Sequence, residues 1–536
     1  MSDTSHRRHP GGIPRRSLLA ATAAGGGALG ASWLLTGCSG TNGGTAANAI
    51  PTVALAGKPS SGGTLKIARP PASDAENLDS ASSLSAYEYL GALYNRLVRV
   101  GSDGNLAADL AESWEPDAKA ITWTFHLRRG VTFHDGRAFT SADAAYTLRH
   151  ILDAKTASPQ AAVLAPLVDP KTLRTPDAHT LVVPLKTPNA EFPSLLTHYN
   201  CYVIPNGSGT SIGRTGIGTG PFKLVSFTPA GAGRVTAYAD HWQGRPVLDA
   251  IDFYSVADTQ ARSNALLAGQ VHLISQTNLD FATARVVAAS DRATIARVKN
   301  AQWYVLPMLT TDKPFNDVRV RQAMKLAYDP EYVLKVALQD AGSAGWDNPV
   351  PPNDPYYVAQ HPTHDPDKAR SLLKQAGHEG LAVDLYTSSY DPILTPMALA
   401  YQDSAKRAGI NIRVKTASAD SYYTQIWMKK PLMTSYWYTG RPVDQLLNQI
   451  FRSGSSYNET AWSDKSFDAL IDRARRETDD TRRRDLYAEA QQKIMTDGGE
   501  ITPMFADRLV GISRKVRGYA ERGFEFDYLG IGLKGA

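Results

Sequence analysis

Gly209-Thr210-Ser211-Ile212-Gly213 sets a serine between glycines at the G-x-S-x-G spacing. That spacing is the mark of a hydrolase nucleophile raised on a sharp strand-to-helix elbow. The chemistry needs a strand before the serine, a helix after it, and a histidine and an acid within reach. Here the surrounding residues, NGSGTSIGRTGIGTGP, read as a loop ending at Pro221. The elbow lacks its frame, so a lipid-anchored serine hydrolase using Ser211 stands only as an alternative of another class, and no catalytic residue is assigned. Gly216 to Gly220 mimics a phosphate-cradling loop, but neither Gly-Lys-Ser/Thr nor a helix follows. The 12 histidines are scattered, with no H-E-x-x-H and no C-x-x-C. No spacing supports a metal site, and no metal or cofactor is assigned.

The two cysteines ask for different chemistry. Cys38 ends Leu35-Thr36-Gly37-Cys38, after the small apolar stretch Leu18 to Leu35 and the basic residues Arg7, Arg8, Arg15 and Arg16. A basic region, an apolar region and small residues before a break point describe a secretory signal. Arg15-Arg16-Ser17-Leu18-Leu19 resembles a twin-arginine signal, and Leu35–Cys38 resembles a bacterial lipobox. The expectation is a signal peptide over 1–37 and acylation of Cys38. The stretch is too short and Gly-rich for a membrane span, which needs about 20 strongly apolar residues. Cys201 is then left alone, and a lone thiol reads as a small buried hydrophobe.

The first 37 residues hold four of the 57 Lys and Arg and one of the 52 Asp and Glu, so the remainder is near neutral. No basic stripe with interleaved aromatics suggests nucleic-acid binding. Residues 38–59 open a Gly-, Ser-, Thr- and Ala-rich run with almost no charge, the composition of a flexible tether. The rest is too long for one core, so two or three domains are expected.

Helix and strand patterns mix along the body. Gly63 to Ala68 reads as a strand. Tyr87, Leu90, Tyr94 and Leu97 recur at helical spacing. Ile121, Trp123, Phe125 and Leu127 alternate with polar residues, as in a half-buried strand. Thr140-Ser141-Ala142-Asp143 has the form of a helix start, with Ala144, Leu148, Ile151 and Leu152 on one face. Asp365-Pro366 opens a helix carrying Ala369, Leu372, Leu373 and Ala376, which Gly377 stops. Val383, Leu385 and the Val414 region read as strands flanking another helix. The class is α/β or α+β.

Five motifs then occur in order: Ala107–Glu115 (AADLAESWE); Phe125–Gly136 (FHLRRGVTFHDG) with Ser141-Ala142-Asp143; Gly218–Phe222 (GTGPF); Lys313–Phe315 with Val318–Ala323; and Asp365–Ala369 with Leu372, Leu373, Ala376 and Gly377. In these the chain resembles the solute-binding proteins of peptide and nickel ABC importers, extracytoplasmic binding protein family 5. The likeness covers nearly the whole body. It implies an α/β, bilobal periplasmic-binding-protein-like fold with a hinge. Carried onto this chain, lobe I takes 60–87, 218–302 and 508–536, an inserted domain takes 88–217, and lobe II takes 303–507. It further implies a monomeric receptor, not an enzyme. Such a receptor captures peptides or peptide-like solutes in an interlobe cleft and delivers them to ABC permease subunits. It is expected to be exported and lipid-anchored at the outer face of the cell membrane. In this family the His134-Asp135 pair is scaffold.

Peptide-binding members carry an acid in lobe II for the ligand's amine. Here the matching stretch is Ser435–Asp444 (SYWYTGRPVD), with Gly440 or Arg441 near the acid's place. Arg441 has a fork of donors suited to a carboxylate or phosphate. It is therefore expected to bind an anionic ligand group, the alternative being a surface arginine or one paired with Asp444. The aromatics Tyr436, Trp437, Tyr438, Tyr457 and Trp462 are expected to line the pocket, with Asn458 and Glu459 among them. Family geometry adds Trp346, Asp347, Tyr304 and Ser83. Without the amine partner the ligand choice opens to opine-like conjugates, sugars or a nickel chelate.

Overall fold

The computed structural model describes residues 50, 55, 57–71, 75–101, 104–362, 364–522 and 525–535. The signal segment, Cys38 and most of the 38–59 tether lie outside the described residues.

The strand Thr64–Arg69 buries Leu65, Ile67 and Ala68 completely. It pairs in parallel with Ala250–Ser255 on one side and with Leu273–Ile274 on the other, the setting in which a strand has both faces covered. Around it lies a nine-stranded mixed sheet. Its order runs 435–438, 293–307, 500–513, 273–274, 64–69, 250–255, 233–237, 222–227, with 342–344 also on the 500–513 strand.

The helix Tyr87–Leu93 puts Tyr89, Leu90 and Leu93 into the core formed by Leu65, Ile67 and Phe253. Leu97 does not continue its face. The chain turns extended at Tyr94, and Leu97 joins a separate core. That second core belongs to a four-stranded antiparallel sheet in the order 111–116, 122–127, 180–184, 174–177. Trp123, Phe125 and Leu127 point into it, as their alternation implies. Cys201 is buried there too. The helix Ser141–Leu152 closes it and opens on a capping box, in which Thr140 N–H donates to Asp143 Oδ2 at 2.8 Å. Tyr89, Leu90, Ala92, Leu93, Tyr94, Tyr202, Ile204 and Ile212 all pack in the first core.

His134 ties two sequence motifs together. It accepts from Gly218 N–H through Nδ1 (3.2 Å), while Nε2 meets Gly220 O at 3.0 Å. Burial pulls its pKa down to about 4, so the ring stays neutral. The glycines are needed for contact. A Cβ on Gly218 would fall 2.0 Å from Leu93 O, and one on Gly220 2.4 Å from Leu93 C.

In the next region Asp365 caps the helix Pro366–Gln375, accepting from Lys368 N–H at 2.9 Å. Gly377 follows with φ +75°. Ala382–Ser388 and Asn411–Ala417 form a parallel pair on either side of the helix Leu394–Ala405 in sequence.

Two long antiparallel strands, Ala293–Pro307 and Glu500–Ser513, run through the molecule. Residues 293–298 pair with 508–513, and 302–307 pair with 500–506 across register breaks. At the first break Asn300 takes φ +47°. The buried Asp507 accepts from Asn300 N–H (3.0 Å) and from Lys299 Nζ (2.9 Å).

Farther off, Ala190 N–H donates to Arg475 O (2.6 Å). Glu191 pairs with Arg483 (2.6 Å) and accepts from Tyr356 OH (2.9 Å). Near the end of the described chain, Ser60 N–H donates to Leu533 O at 2.8 Å, and Gly535 N–H donates to Ser60 Oγ at 3.0 Å. Among the described residues no helix is long and apolar enough to cross a membrane.

Candidate ligand-binding site

The strand Ser435–Tyr438 is the outer edge of the large sheet, with Tyr436 opposite Tyr304 and Trp437 opposite Trp303. Strand alternation sends the two sets to opposite faces. Trp437 stacks on Trp303 at 6.1 Å, over the core of the helices that follow. Tyr436 lies 5.8 Å from both Tyr304 and Tyr438.

Tyr390 extends this second face, 6.4 Å from Tyr436. The π-helical turn Tyr422–Ile426 then sets two consecutive rings against Tyr390. Tyr422 stacks flat at 5.1 Å and Tyr423 meets it edge-on at 5.2 Å. Trp427 touches Tyr423, and Tyr457 touches Trp427 and Trp437, so the aromatic network wraps the sheet edge. At its foot Tyr304 OH donates to both Asp391 oxygens (3.0 and 3.1 Å). Burial raises the Asp391 pKa, with Ile393 N–H and Tyr304 opposing.

Arg441 stands beyond Tyr438, after Gly440 at φ +93°. Its Nη1 donates to Tyr438 O (2.5 Å) and Nε to Gln449 (3.2 Å), and its guanidinium sits 5.4 Å from the Trp437 ring centre. Burial lowers its pKa. It does not pair with Asp444, whose buried carboxylate takes a fork from Arg475 at 2.8 to 3.1 Å. Asp444 is therefore no free partner for an amine.

Tyr87 and His198 lie within electrostatic reach of this face. Tyr87 and Tyr199 meet edge to face at 4.8 Å, with His198 tilted against Tyr199 at 4.3 Å. The Tyr87 phenol is raised by burial first, then by Tyr199, with Glu88 and Tyr438 adding. His198 is pulled down to about 4 by burial, with Arg96 and Arg441 adding. Tyr438 and Arg441 thus lie within electrostatic reach of Tyr87 and His198.

The expected residues divide. Tyr436, Trp437, Tyr438, Tyr457, Tyr304 and Arg441 come together in or beside the aromatic network. Asn458 is buried and pins its own loop, donating to the carbonyls of Phe451, Arg452 and Trp462. Trp462 packs on Phe467 in the helical core. Glu459 is buried, accepting from Trp427 Nε1 at 3.1 Å. Burial pushes its pKa up to about 7.

Asp347 is buried and accepts from Tyr328 OH (2.8 Å) and Thr502 N–H (3.1 Å), its loop folding back over the 500–513 strand. Trp346 stacks on His361 at 4.7 Å, and among the described residues no ring contact joins it to the network. Ser83 is buried too, its Oγ accepting from Ala86 N–H at 3.4 Å ahead of the helix Tyr87–Leu93. Tyr390, Asp391, Tyr422, Tyr423, Trp427, Tyr87 and Tyr199 join or approach the aromatic network without having been singled out for the site in the sequence. The aromatic density of Tyr422-Tyr423-Thr424-Gln425-Ile426-Trp427 was the available signal.

Ser211 is preceded by turns rather than a strand and followed by the single turn Ile212–Thr215. Its Oγ donates to Ser208 O at 3.1 Å. A side chain at Gly209 would touch His150, whose ring nitrogens are engaged by Asp79 (2.8 Å) and Thr156 (3.2 Å). Among the described residues no three His, Cys, Asp or Glu gather as a metal site requires.

Residues 105–459 match the family described as bacterial extracellular solute-binding proteins, family 5. The chain is 28% identical over 449 residues to the glutathione-binding protein GsiB of Pectobacterium atrosepticum, covering 80% of this chain and 85% of that protein. It is 26% identical over 485 residues to heme-binding protein A of Haemophilus influenzae, covering 83% and 87%. The fold is similar to that of the periplasmic binding protein DppA of Helicobacter pylori, solved with the peptide STSA. That likeness has a TM-score of 0.68 at 22% identity, over 89% of this chain and 99% of that one.

Proposed function

The chain belongs to the family 5 bacterial extracellular solute-binding proteins, and from that premise we propose that it grips a peptide-like or acidic solute between two lobes and hands it to an ABC importer. Its receptor class follows from the family; the solute and the delivery route are our reading. The observation that carries the site is the aromatic face around Tyr436 and Tyr438 approaching Tyr87 and Tyr199 of the other lobe. The register break at Val298/Gln302, with Asp507 beneath it, supports a hinge there. The lobes then divide near residues 298–302 and 507, and ligand contacts to both would favour closure. Leu35–Cys38 supports acylation at Cys38 and residence on the outer face of the membrane. No catalytic role is proposed, and the protein is taken to act as a monomer.

A thermal-shift screen tests the reading. The panel holds di- to pentapeptides, glutathione, haemin, opine-like acids, oligosaccharides and nickel with histidine. A ligand at about 100 times its dissociation constant stabilises by about 2.7 kcal/mol, which raises Tm visibly. Silence across the whole panel at saturating concentration counts against it. Arg441→Ala is expected to weaken an acidic ligand at least about tenfold, since a charge-assisted hydrogen bond is worth roughly 1.5–3 kcal/mol. Unchanged affinity removes Arg441 from the site.

A further inference from the structure

Resting on that receptor reading, we propose that Asp391 receives an ammonium group of the solute, beside the phenols of Tyr304, Tyr436 and Tyr438. Asp391 lies between the strand Ala382–Ser388 and the helix Leu394–Ala405. It is partly buried, neither sealed nor fully exposed. Oδ1 accepts from Ile393 N–H at 2.8 Å, and Tyr304 OH reaches both oxygens at 3.0 and 3.1 Å. Two donors leave acceptor positions open on a carboxylate that can take about four. The turn to Ile393 needs one oxygen and no charge, so an asparagine would serve the fold equally.

What this carboxylate lacks is a counter-ion. Other buried acids of the fold have one: Asp444 has Arg475, Glu191 has Arg483, Asp507 has Lys299 and Glu521 has Arg508. Burial raises the Asp391 pKa, and the groups opposing it are Ile393 N–H and Tyr304, with no lysine or arginine among them. A covered charge without a partner is costly, and a docking cation relieves that cost. Glu459 also has no cation opposing its burial, but it is sealed at 1% exposed, with Trp427 Nε1 on its carboxylate. Asp391 is the one of the two that keeps an opening.

The surroundings suit an organic cation. Burial is the first cause raising the Tyr436 and Tyr438 phenols, and the Asp391 charge adds to both, so it lies within electrostatic reach of the two rings. An ammonium gains from aromatic rings as well as from the carboxylate. A metal ion asks for more ligands, and among the described residues no three His, Cys, Asp or Glu gather. Arg441 stands beyond Tyr438 for an acidic group of the same solute.

Calorimetric titration tests this with trialanine and glutathione, each with its amine free and acetylated, at about pH 6.5, where the amine is protonated. At least one free form is expected to bind about tenfold or more tightly than its acetylated form. Asp391→Asn should cost that free form a similar factor and the acetylated form little, so the two changes do not add. An unchanged melting curve separates loss of contact from loss of fold. Equal binding of free and acetylated forms overturns the proposal, as does full affinity in Asp391→Asn; the receptor reading survives both. Binding of neither peptide in any form also overturns it, and the receptor reading then stands or falls on the amine-free members of the panel.

Discussion

Glu459 shows what a single buried carboxyl does to this fold. Its folded pKa, pushed up to about 7 by burial, exceeds the ordinary 4.5. Between those values the folded chain holds a proton the unfolded chain has lost. Stability from this group is therefore full below about pH 4.5, falls as pH rises toward 7, and is level above. Glu459→Gln removes this carboxyl's share of the slope and relieves the buried Glu500, whose pKa Glu459 helps to raise. His134, His198 and His241, each pulled down to about 4 by burial, act in the opposite direction, but equally in both proteins. Urea unfolding at pH 5 and pH 7.5 should show wild type losing about 1–3 kcal/mol relative to Glu459→Gln on the rise. Parallel pH dependences would count against it. From sequence, Glu459 appeared as a ligand contact because polar residues between aromatics look like a pocket. Tertiary burial, which places Asn458, Asp347 and Trp462 among buried residues, is not written in local spacing.

Elements were legible where their signals are local. The Thr140–Asp143 box and the Asp365–Gly377 helix each state their own ends within a few residues, and the strand Thr122–Leu127 carries its alternation openly. Leu97 failed because helical spacing says nothing about a turn forced by the neighbouring core. The aromatic network was only half visible, since it joins Tyr390, Tyr422–Trp427 and Ser435–Tyr438 through contacts between distant segments. The glycines of GTGPF are the reverse case: nothing local states their main duty, which is close approach. Gly220→Ala places a methyl 2.4 Å from Leu93 C, so backbone has to move. We expect a cost of about 1–3 kcal/mol and a Tm several degrees lower. A neutral result would mean the two segments separate freely.

At the scale of the whole molecule, the paired strands are not the sole long-range tie. Glu191 meets Arg483 and Tyr356 with most of its surface buried, and losing one partner of such a pair is costly. The chain can relieve that cost by letting the lobes part. Glu191→Gln is therefore expected to enlarge the ligand-free radius of gyration in X-ray scattering and to speed ligand release several-fold. Identical scattering and identical release would leave the pair a local brace. The bilobal class itself came from five ordered motifs and not from periodicity, because lobe assignment is a long-range property.

The bond from Ser60 to Leu533, with Gly535 returning to Ser60, brings the two margins of the described fold side by side. A reporter fused beyond residue 535 would therefore start beside Ser60. A gene rearranged to join these margins by a short linker, with new termini opened at the exposed Asp153–Lys155 turn, keeps every strand pairing while reversing which half leaves the ribosome first.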